Sequence, residues 1–370
     1  QHTQLQRLVH AQCPTLFAGF SSTPWLPNGH LQTLWASRPD SWKSGSLLYD
    51  RDLLQHAEGG HNALDWFPCR PGGTVPARSA ADADQAASDP VPPGPDPLPR
   101  TAPVIIILHG LTGGSHEAYV QDMVRAVMAV DHGVRVVVMN ARGCAGSQLT
   151  SAQLYNACYT GDLRATIGRV QEATGALDVP MAAVGFSLGA NVLTCYLGET
   201  GERSPLLGAV AISNPFDLLA GARWLDSSVA GRHIYSPEAL DATAQAADTS
   251  ADALAGAEHR GTLLKTLYVS QIRSPRTFDH HVTRLLGRYA SVDDYYRRGS
   301  SAQYVPYIRV PYLAISAEDD PVVPWVTWPV SDAAENPYVV LAAMQRGGHV
   351  GWYEGWRPRQ WVQRPAAEFL

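Results

Sequence analysis

Cysteine is scarce in this sequence, and its spacing does not suggest a disulfide framework. The 370 residues contain five cysteines, an odd number with no Cys-x-x-Cys pair. Small secreted domains that depend on disulfides have dense, paired cysteines instead. We therefore predict reduced thiols in an intracellular, cytoplasmic protein. The five residues are Cys13, Cys69, Cys144, Cys158 and Cys195.

Long apolar runs and blocks of positive charge are absent as well. No stretch approaches the roughly 18 apolar residues that a membrane-spanning helix requires, and no signal-peptide core opens the chain. The sequence begins at Gln1 rather than Met, so an anchor on a preceding segment would lie outside it. The net charge is −6 and no basic stripe is visible, which argues against nucleic acid as a partner.

The histidines lack the spacing of a metal site. Thirteen are present, but none belongs to a His-Glu-x-x-His segment or to a Cys/His ligand pattern. The adjacent pair His280 and His281 is interpreted as solvated helix residues. We predict that the protein needs neither a metal nor another cofactor.

The most informative segment that is present is the pentapeptide GFSLG at 185–189. An apolar strand-like run beginning at Met181 precedes it, and a helical segment from Ala190 to Tyr196 follows. A serine at such a strand-to-helix corner lies on a tight turn with its hydroxyl exposed above the sheet edge. The flanking glycines are needed because side chains would collide where strand and helix pass closely. We predict that Ser187 is a nucleophile.

A nucleophilic serine needs a histidine that takes its proton and a carboxylate that orients this histidine. At corners of this kind the chain order is serine, acid, histidine. The strand-like run Pro311–Ser316 is followed by Asp319 and Asp320. We favour Asp320 as the acid because an Asp-x-x-Val-Pro pattern commonly follows such a strand, and Asp319 stays open as the alternative. The next strand, at 338–343, leads to a glycine-flanked loop that holds His349, the predicted base.

Acyl transfer to a serine also needs N–H donors for the oxyanion that forms. One is predicted to be the backbone N–H of Leu188, which follows the nucleophile. The other is expected in the loop after an early strand. Val104–Leu108 is the most apolar short run, and the loop after it predicts the N–H of Leu111 as the second donor. His109, at the start of this loop, is interpreted as a structural residue rather than a second base.

From Pro103 onward, strands and helices alternate along the chain. This alternation predicts an α/β fold with a mostly parallel central sheet flanked by helices. The predicted strands are Leu47–Leu54, Asn62–Phe67, Val104–Leu108, Val134–Asn140, Met181–Gly185, Leu207–Ile212, Tyr312–Ser316 and Tyr338–Ala343, and helices are predicted at Glu117–Val130 and Gly161–Thr174.

The predicted domain organisation is one core with two inserted segments. Residues 1–46 form an N-terminal segment packed on the core, which itself comprises 47–213 and 304–370. Residues 71–101 are rich in Pro, Ala and Asp and are predicted to be a disordered insertion. Residues 214–303 interrupt the alternation with helical sequence, and we predict a helical cap there, inserted before the acid-bearing strand. Such a cap would exclude water and form the walls of an acyl pocket.

The tail of the chain contains three tryptophans, Trp352, Trp356 and Trp361. An exposed aromatic group can contact a membrane surface, so peripheral membrane contact is one interpretation. Ordinary packing of the last helix is the interpretation we favour.

Several segments together resemble the YheT-like branch of the α/β-hydrolases, which includes medium-chain fatty acid ethyl ester synthase/esterases and related abhydrolase-domain lipid esterases. The resemblance spans nearly the whole chain. The segments at 28–35 (NGHLQTLW) and 140–146 (NARGCAG) are more specific to this branch than the elbow motif, the pentapeptide GFSLG at 185–189, is on its own. The other segments that carry it are 108–115, 185–189, Arg276–Asp279, Tyr295–Tyr296, Ser300–Ser301, 319–321 and 348–349. The insertion at 71–101 and the Ala-rich stretch at 241–256 depart from the family pattern.

The resemblance implies a serine esterase of the α/β-hydrolase fold in which Ser187, Asp320 and His349 form the triad. It implies acyl esters of medium-chain fatty acids or glycerolipids as substrates. Transfer of the acyl group to an alcohol would use the same residues and is the alternative activity. A lipid-binding receptor without turnover is a third hypothesis, which the complete set of triad residues disfavours. Epoxide or haloalkane hydrolysis would require an aspartate at position 187.

Overall fold

A computed structural model of the chain describes residues 3–38, 46–75, 94–151, 153–228, 231 and 274–370. Most of the strands form one eight-stranded sheet. In chain order they are β1 (Asp50–Gln55), β2 (His61–Phe67), β3 (Thr74–Val75), β4 (Gly94–Pro95), β5 (Val104–Leu108), β6 (Arg135–Asn140), β7 (Met181–Phe186), β8 (Leu206–Ile212), β9 (Tyr312–Ala317), β10 (Val339–Met344), β11 (Tyr353–Glu354) and β12 (Arg359–Gln360).

The strand order in the main sheet is β1-β2-β6-β5-β7-β8-β9-β10. Strands β1, β2 and β6 pair antiparallel, and all pairs from β6 to β10 are parallel. The predicted fold class is therefore confirmed. Two smaller antiparallel pairs, β3 with β4 and β11 with β12, lie outside this sheet.

Helices precede, connect and cover the strands. They are α1 (Gln4–Gln12), α2 (Pro14–Ala18), α3 (Gly29–Ala36), α4 (Ala118–Val130), α5 (Gly161–Thr174), α6 (Leu188–Thr200), α7 (Leu218–Ser227), α8 (Pro275–Phe278), α9 (Arg284–Leu286), α10 (Val292–Gly299), α11 (Val330–Glu335) and α12 (Gln363–Phe369). A π-helical turn at Asp279–Thr283 joins α8 to α9, and 3₁₀ turns occur at Gly201–Arg203, Ser301–Tyr307 and Trp325–Thr327.

The central strands read as continuous apolar runs because helices cover both faces of the sheet. All five residues of β5 are buried, and alternate residues enter different clusters. Val104, Ile106 and Leu108 pack with residues of α5 and α6, whereas Ile105 and Ile107 pack with residues of α4 and α12. The carboxyl ends of these parallel strands, where ligands bind in open α/β folds, lie at one edge.

The prediction of a disordered insertion over 71–101 is wrong at both of its ends. Strand β3 pairs with β4, and the segment after β4 is held by Arg135 at the start of β6. The Arg135 guanidinium is fully buried and binds the Asp96 carboxylate together with the carbonyl oxygens of Leu98 and Pro99. A buried charge of this kind needs fixed partners. Residues 76–93 lie outside the described residues.

The predicted cap at 214–303 is described at its two ends. Helix α7 follows β8 and contacts α10, and the 3₁₀ turn at Ser301–Tyr307 returns to α6. Residues 229–230 and 232–273 lie outside the described residues, so the extent of the cap stays a prediction.

The tail tryptophans are mostly core residues. Trp352 and Trp361 are buried in the cluster that includes α12, whereas Trp356 is 77% exposed. Two of the three residues that suggested a membrane surface are therefore explained by packing. Within the described ranges, no helix combines the length and the apolar character needed to cross a membrane.

Candidate active site

Ser187 stands at the corner between β7 and α6, as the elbow motif predicts. Its backbone has φ 50° and ψ −117°, a conformation that L-residues rarely adopt. A Cβ at Gly185 would lie 2.6 Å from the Gly189 carbonyl oxygen, and a Cβ at Gly189 would lie 2.5 Å from the Leu108 carbonyl oxygen. Both glycines are required because β5, β7 and α6 meet too closely here for any side chain.

The structure brings the three predicted triad residues into one hydrogen-bonded chain. The Ser187 Oγ lies 2.9 Å from the Nε2 of His349, and the Nδ1 of His349 lies 2.8 Å from an Asp320 carboxylate oxygen. Since a carboxylate only accepts hydrogen bonds, the proton of the imidazole is on Nδ1, and this N–H donates a hydrogen bond to Asp320. Nε2 is then the acceptor, and the Ser187 hydroxyl donates to it. This is the arrangement that a general base needs before it can take the serine proton.

The two candidate acids face different partners. Asp320 is buried, and its second oxygen accepts the backbone N–H groups of Val322 and Val323 at 2.8 and 2.9 Å. Asp319 instead accepts the backbone N–H of Gly348 at 2.9 Å. Asp320 therefore meets the imidazole of His349, while Asp319 holds the loop on which that imidazole stands.

The two predicted oxyanion donors belong to segments that border Ser187. Leu188 is the first residue of α6, and the N–H groups of a first helical turn have no partner within the helix. A Cβ at Gly110 would lie 3.4 Å from the Ser187 Cβ, so the loop that continues to Leu111 passes next to Ser187. Leu111, Ser187 and Leu188 line the same cavity. The roles of the two N–H groups stay predictions.

A cavity of about 200 Å³ opens at Ser187. One wall comes from loops at the sheet edge and the other from the segments predicted as the cap. Its largely apolar lining includes Leu111, Leu188, Leu218, Ala222, Leu225, Phe278, Tyr295, Tyr296, Val322 and Val323. A cavity of this composition is suited to a hydrocarbon chain beside Ser187.

Comparisons with known proteins show the family to which the chain belongs. Residues 103–355 match the family model described as the alpha/beta hydrolase fold. The chain belongs to the α/β-hydrolase family. It is 31% identical to a monoacylglycerol lipase of Saccharomyces cerevisiae over 99% of this chain and 84% of that protein. It is 30% identical to medium-chain fatty acid ethyl ester synthase/esterase 2 of the same yeast over 100% of this chain and 90% of that protein. Among solved structures, the esterase Est1E from Butyrivibrio proteoclasticus matches with a TM-score of 0.48 and 12% identity, over 86% of this chain and 96% of that chain.

His109 plays a structural part in this α/β-hydrolase. Its ring is buried, the backbone N–H of Ala141 donates to its Nε2 at 3.0 Å, and its Nδ1 donates to the Gly110 carbonyl oxygen at 2.6 Å. Burial lowers the pKa of His109 to about 4, so the ring is neutral near pH 7. Both ring nitrogens are thus used to join the loop after β5 to the end of β6.

Sequence reasoning missed the part that α3 plays in the site. Thr33 on this helix accepts the backbone N–H of His349 through its Oγ1 at 2.8 Å and donates to the Gly29 carbonyl oxygen at 2.7 Å. A Cβ at Gly29 would lie 1.8 Å from the Asp319 carbonyl oxygen, so α3 packs directly against the loop that contains Asp319 and Asp320. The signal was the Asn28–Trp35 segment, which marked the family resemblance but had no assigned role.

We expect Thr33→Val to lower kcat about 10-fold. The valine has the same shape but cannot accept the His349 N–H, so a partly buried donor loses its partner, at a cost of about 1 kcal/mol, and His349 loses this support of its backbone. Steady-state hydrolysis of a p-nitrophenyl ester measures the effect, and Thr33→Ser, which keeps a hydroxyl, is the matched control. Equal kcat for valine and wild type would show that the His349 loop is held without Thr33.

Proposed function

We propose that this protein is a serine carboxylic-ester hydrolase that acts on medium-chain acyl or glycerolipid esters. The observation that carries the proposal is the continuous chain of hydrogen bonds from Ser187 through His349 to Asp320. It stands at a strained strand-to-helix corner beside an apolar cavity. Ser187 is thus both hydrogen-bonded to a histidine and located in the wall of a cavity that a substrate can enter, and the proposal needs both properties.

The proposed reaction has two halves. Ser187 Oγ attacks the ester carbonyl carbon while His349 Nε2 takes the hydroxyl proton, and the oxyanion is bound by the N–H groups of Leu111 and Leu188. The imidazolium, stabilised by Asp320, then gives its proton to the leaving alcohol and an acyl-enzyme remains. In the second half, His349 takes a proton from a water molecule as the water oxygen attacks the acyl carbon. The bond to Ser187 Oγ then breaks, the imidazolium returns its proton to this oxygen, and the carboxylic acid is released.

Acyl transfer to an alcohol is a second candidate activity for the same site. The yeast relative named as an ethyl ester synthase/esterase favours it, because synthesis and hydrolysis of an ester pass through the same acyl-enzyme. An alcohol would replace water in the second half of the reaction, and no further residue is needed.

The proposal is tested with a fluorophosphonate probe and a series of p-nitrophenyl esters from C2 to C16. We expect one adduct per chain, located on the peptide that contains Ser187, and a maximum of kcat/KM at medium chain length. A folded protein that takes no label and hydrolyses none of the esters would contradict the proposal and favour the receptor hypothesis. Added ethanol reports transfer through the yield of the ethyl ester.

A further inference from the structure

Two segments that marked the family resemblance have no role in the triad, yet they meet in the cavity. Arg276 and Asp279 come from α8 and the turn after it, and Tyr295 and Tyr296 come from α10. All four residues line the same cavity as Ser187. The cavity wall therefore contains charged groups among the apolar ones, Asp226, Arg276 and Asp279, and an acyl chain alone gives no reason for them.

Among the described residues, the Asp279 carboxylate has two side-chain donors. The Tyr296 hydroxyl donates to one of its oxygens at 2.8 Å, and the Thr283 hydroxyl donates to the other at 2.6 Å. An ionised carboxylate offers about four acceptor positions, so these two bonds leave room for a further donor from the cavity. Burial raises the pKa of Asp279 to about 6, so the group is ionised but less hydrated than a surface aspartate at pH 7.5.

The neighbouring cation is directed to another partner. The Arg276 guanidinium binds the Asp293 carboxylate at 2.5 Å and lies over the Tyr296 ring, 5.7 Å from its centroid. Among the described residues, the hydrogen bonds to the Asp279 carboxylate thus come from neutral hydroxyls, while the charge of Arg276 opposes the effect of burial on the pKa of Asp279. The residue lines the cavity in which substrate is expected.

Resting on the proposed esterase function, we infer that Asp279 is a specificity-determining residue that accepts a hydrogen bond from a hydroxyl group of the ester substrate. The hydroxyl belongs either to the alcohol part, as in a glycerol monoester, or to the acyl part, as in a hydroxyacyl ester. Both present the same chemistry to the carboxylate.

The preference follows from what each substrate does to the carboxylate. A substrate hydroxyl that displaces water from the carboxylate donates a charge-assisted hydrogen bond in its place, so the carboxylate keeps a donor. An alkyl group displaces the water and donates nothing, so the charge loses hydration without compensation. Sites built for a hydroxyl reject the analogue that lacks it for this reason. Since a hydrogen bond to a charged group contributes about 1.5–3 kcal/mol, the expected preference is about 10- to 100-fold in kcat/KM.

Two matched substrate pairs test the inference and separate the two sources of the hydroxyl. Glycerol 1-monodecanoate against n-propyl decanoate tests the alcohol part, and ethyl 10-hydroxydecanoate against ethyl decanoate tests the acyl part. We expect a preference of about 10-fold or more for the hydroxyl member of one pair in the wild-type protein. Equal kcat/KM within both pairs would overturn the inference, whatever the variants do.

The variant Asp279→Asn keeps the size of the side chain but removes its charge. We expect kcat/KM to fall for the hydroxyl ester and to rise for its alkyl partner, so that the ratio approaches one. Asp294→Asn is the control, because Asp294 lies on the same helix as Tyr296 but pairs with Arg298 on the surface. If Asp279 had a merely structural role, Asp279→Asn would lower kcat/KM equally for both esters of a pair. That result would overturn the inference and leave the esterase proposal intact. Absence of hydrolysis of all four esters by the wild type would instead contradict the esterase proposal.

Discussion

Replacing Ser187 by alanine is expected to lower kcat for ester hydrolysis by about 10⁴-fold or more. The alanine has no oxygen to form the acyl-enzyme, while the neighbouring groups keep their places. His349 would still donate to Asp320, and the glycines of the corner would still allow the close approach of β7 and α6. The residual rate would come from water activated by His349 in the same cavity. Steady-state kinetics with a C8 p-nitrophenyl ester and fluorophosphonate labelling measure the effect.

A buried serine on another strand of the same sheet provides the control. Ser316 on β9 is 2% exposed, and its hydroxyl has no hydrogen-bond partner among the described residues, so Ser316→Ala removes little. We expect this variant to keep wild-type kcat and labelling. Thermal unfolding should be similar for all three proteins, since the one hydrogen bond that Ser187 Oγ makes to the described residues is to a partly exposed imidazole. Substantial labelling or turnover in Ser187→Ala would exclude Ser187 as the nucleophile.

The sequence was enough to predict the sheet because its central strands are buried on both faces. A run such as Val104–Leu108 has no polar position to face water, and the structure places all five residues in the core. The corner at Ser187 could be predicted for a similar reason. Its glycines are needed because adjacent elements approach too closely for a side chain, so five consecutive residues are enough to indicate this corner.

Contacts between distant segments could not be predicted in this way. Thr33 binds the backbone of His349 across 316 positions of the chain, and nothing in the pattern of α3 distinguishes this contact from ordinary surface packing. The same holds for Arg135, whose partners come from a Pro-rich stretch with few large apolar side chains. Burial of apolar area predicts which segments can form a core, but a buried guanidinium orders its surroundings through polar contacts.

The choice between Asp319 and Asp320 could be predicted only in part from the sequence. Sequence pattern favoured Asp320 and left its neighbour open, because two adjacent carboxylates differ only in which way the turn after β9 directs them. The structure assigns each a different partner within the same loop pair. Both residues serve the position of His349: Asp320 binds its imidazole, and Asp319 binds the backbone N–H of the preceding residue, Gly348.

We expect Asp320→Asn to lower kcat by about 10⁴-fold, close to the loss of the serine itself. The asparagine oxygen can keep the N–H groups of Val322 and Val323, so its amide NH₂ would face the imidazole. Nδ1 must then be the unprotonated acceptor, and the ring proton moves to Nε2. A protonated Nε2 cannot take the hydroxyl proton of Ser187, so the nucleophile is present but not activated.

Asp319→Asn is the matched variant, because it changes the same functional group one residue away. Its amide oxygen can still accept the N–H of Gly348, so kcat should stay within about 3-fold of wild type if one neutral hydrogen bond replaces a charge-assisted one. Kinetics with the C8 ester and thermal unfolding of both variants separate loss of activation from loss of fold. If Asp319→Asn lost more activity than Asp320→Asn at equal stability, the acid would be Asp319, and the loop would have to rearrange before the reaction. The larger loss in Asp320→Asn, with both proteins folded, would establish that the imidazole tautomer is set by the buried carboxylate that the turn after β9 presents to it.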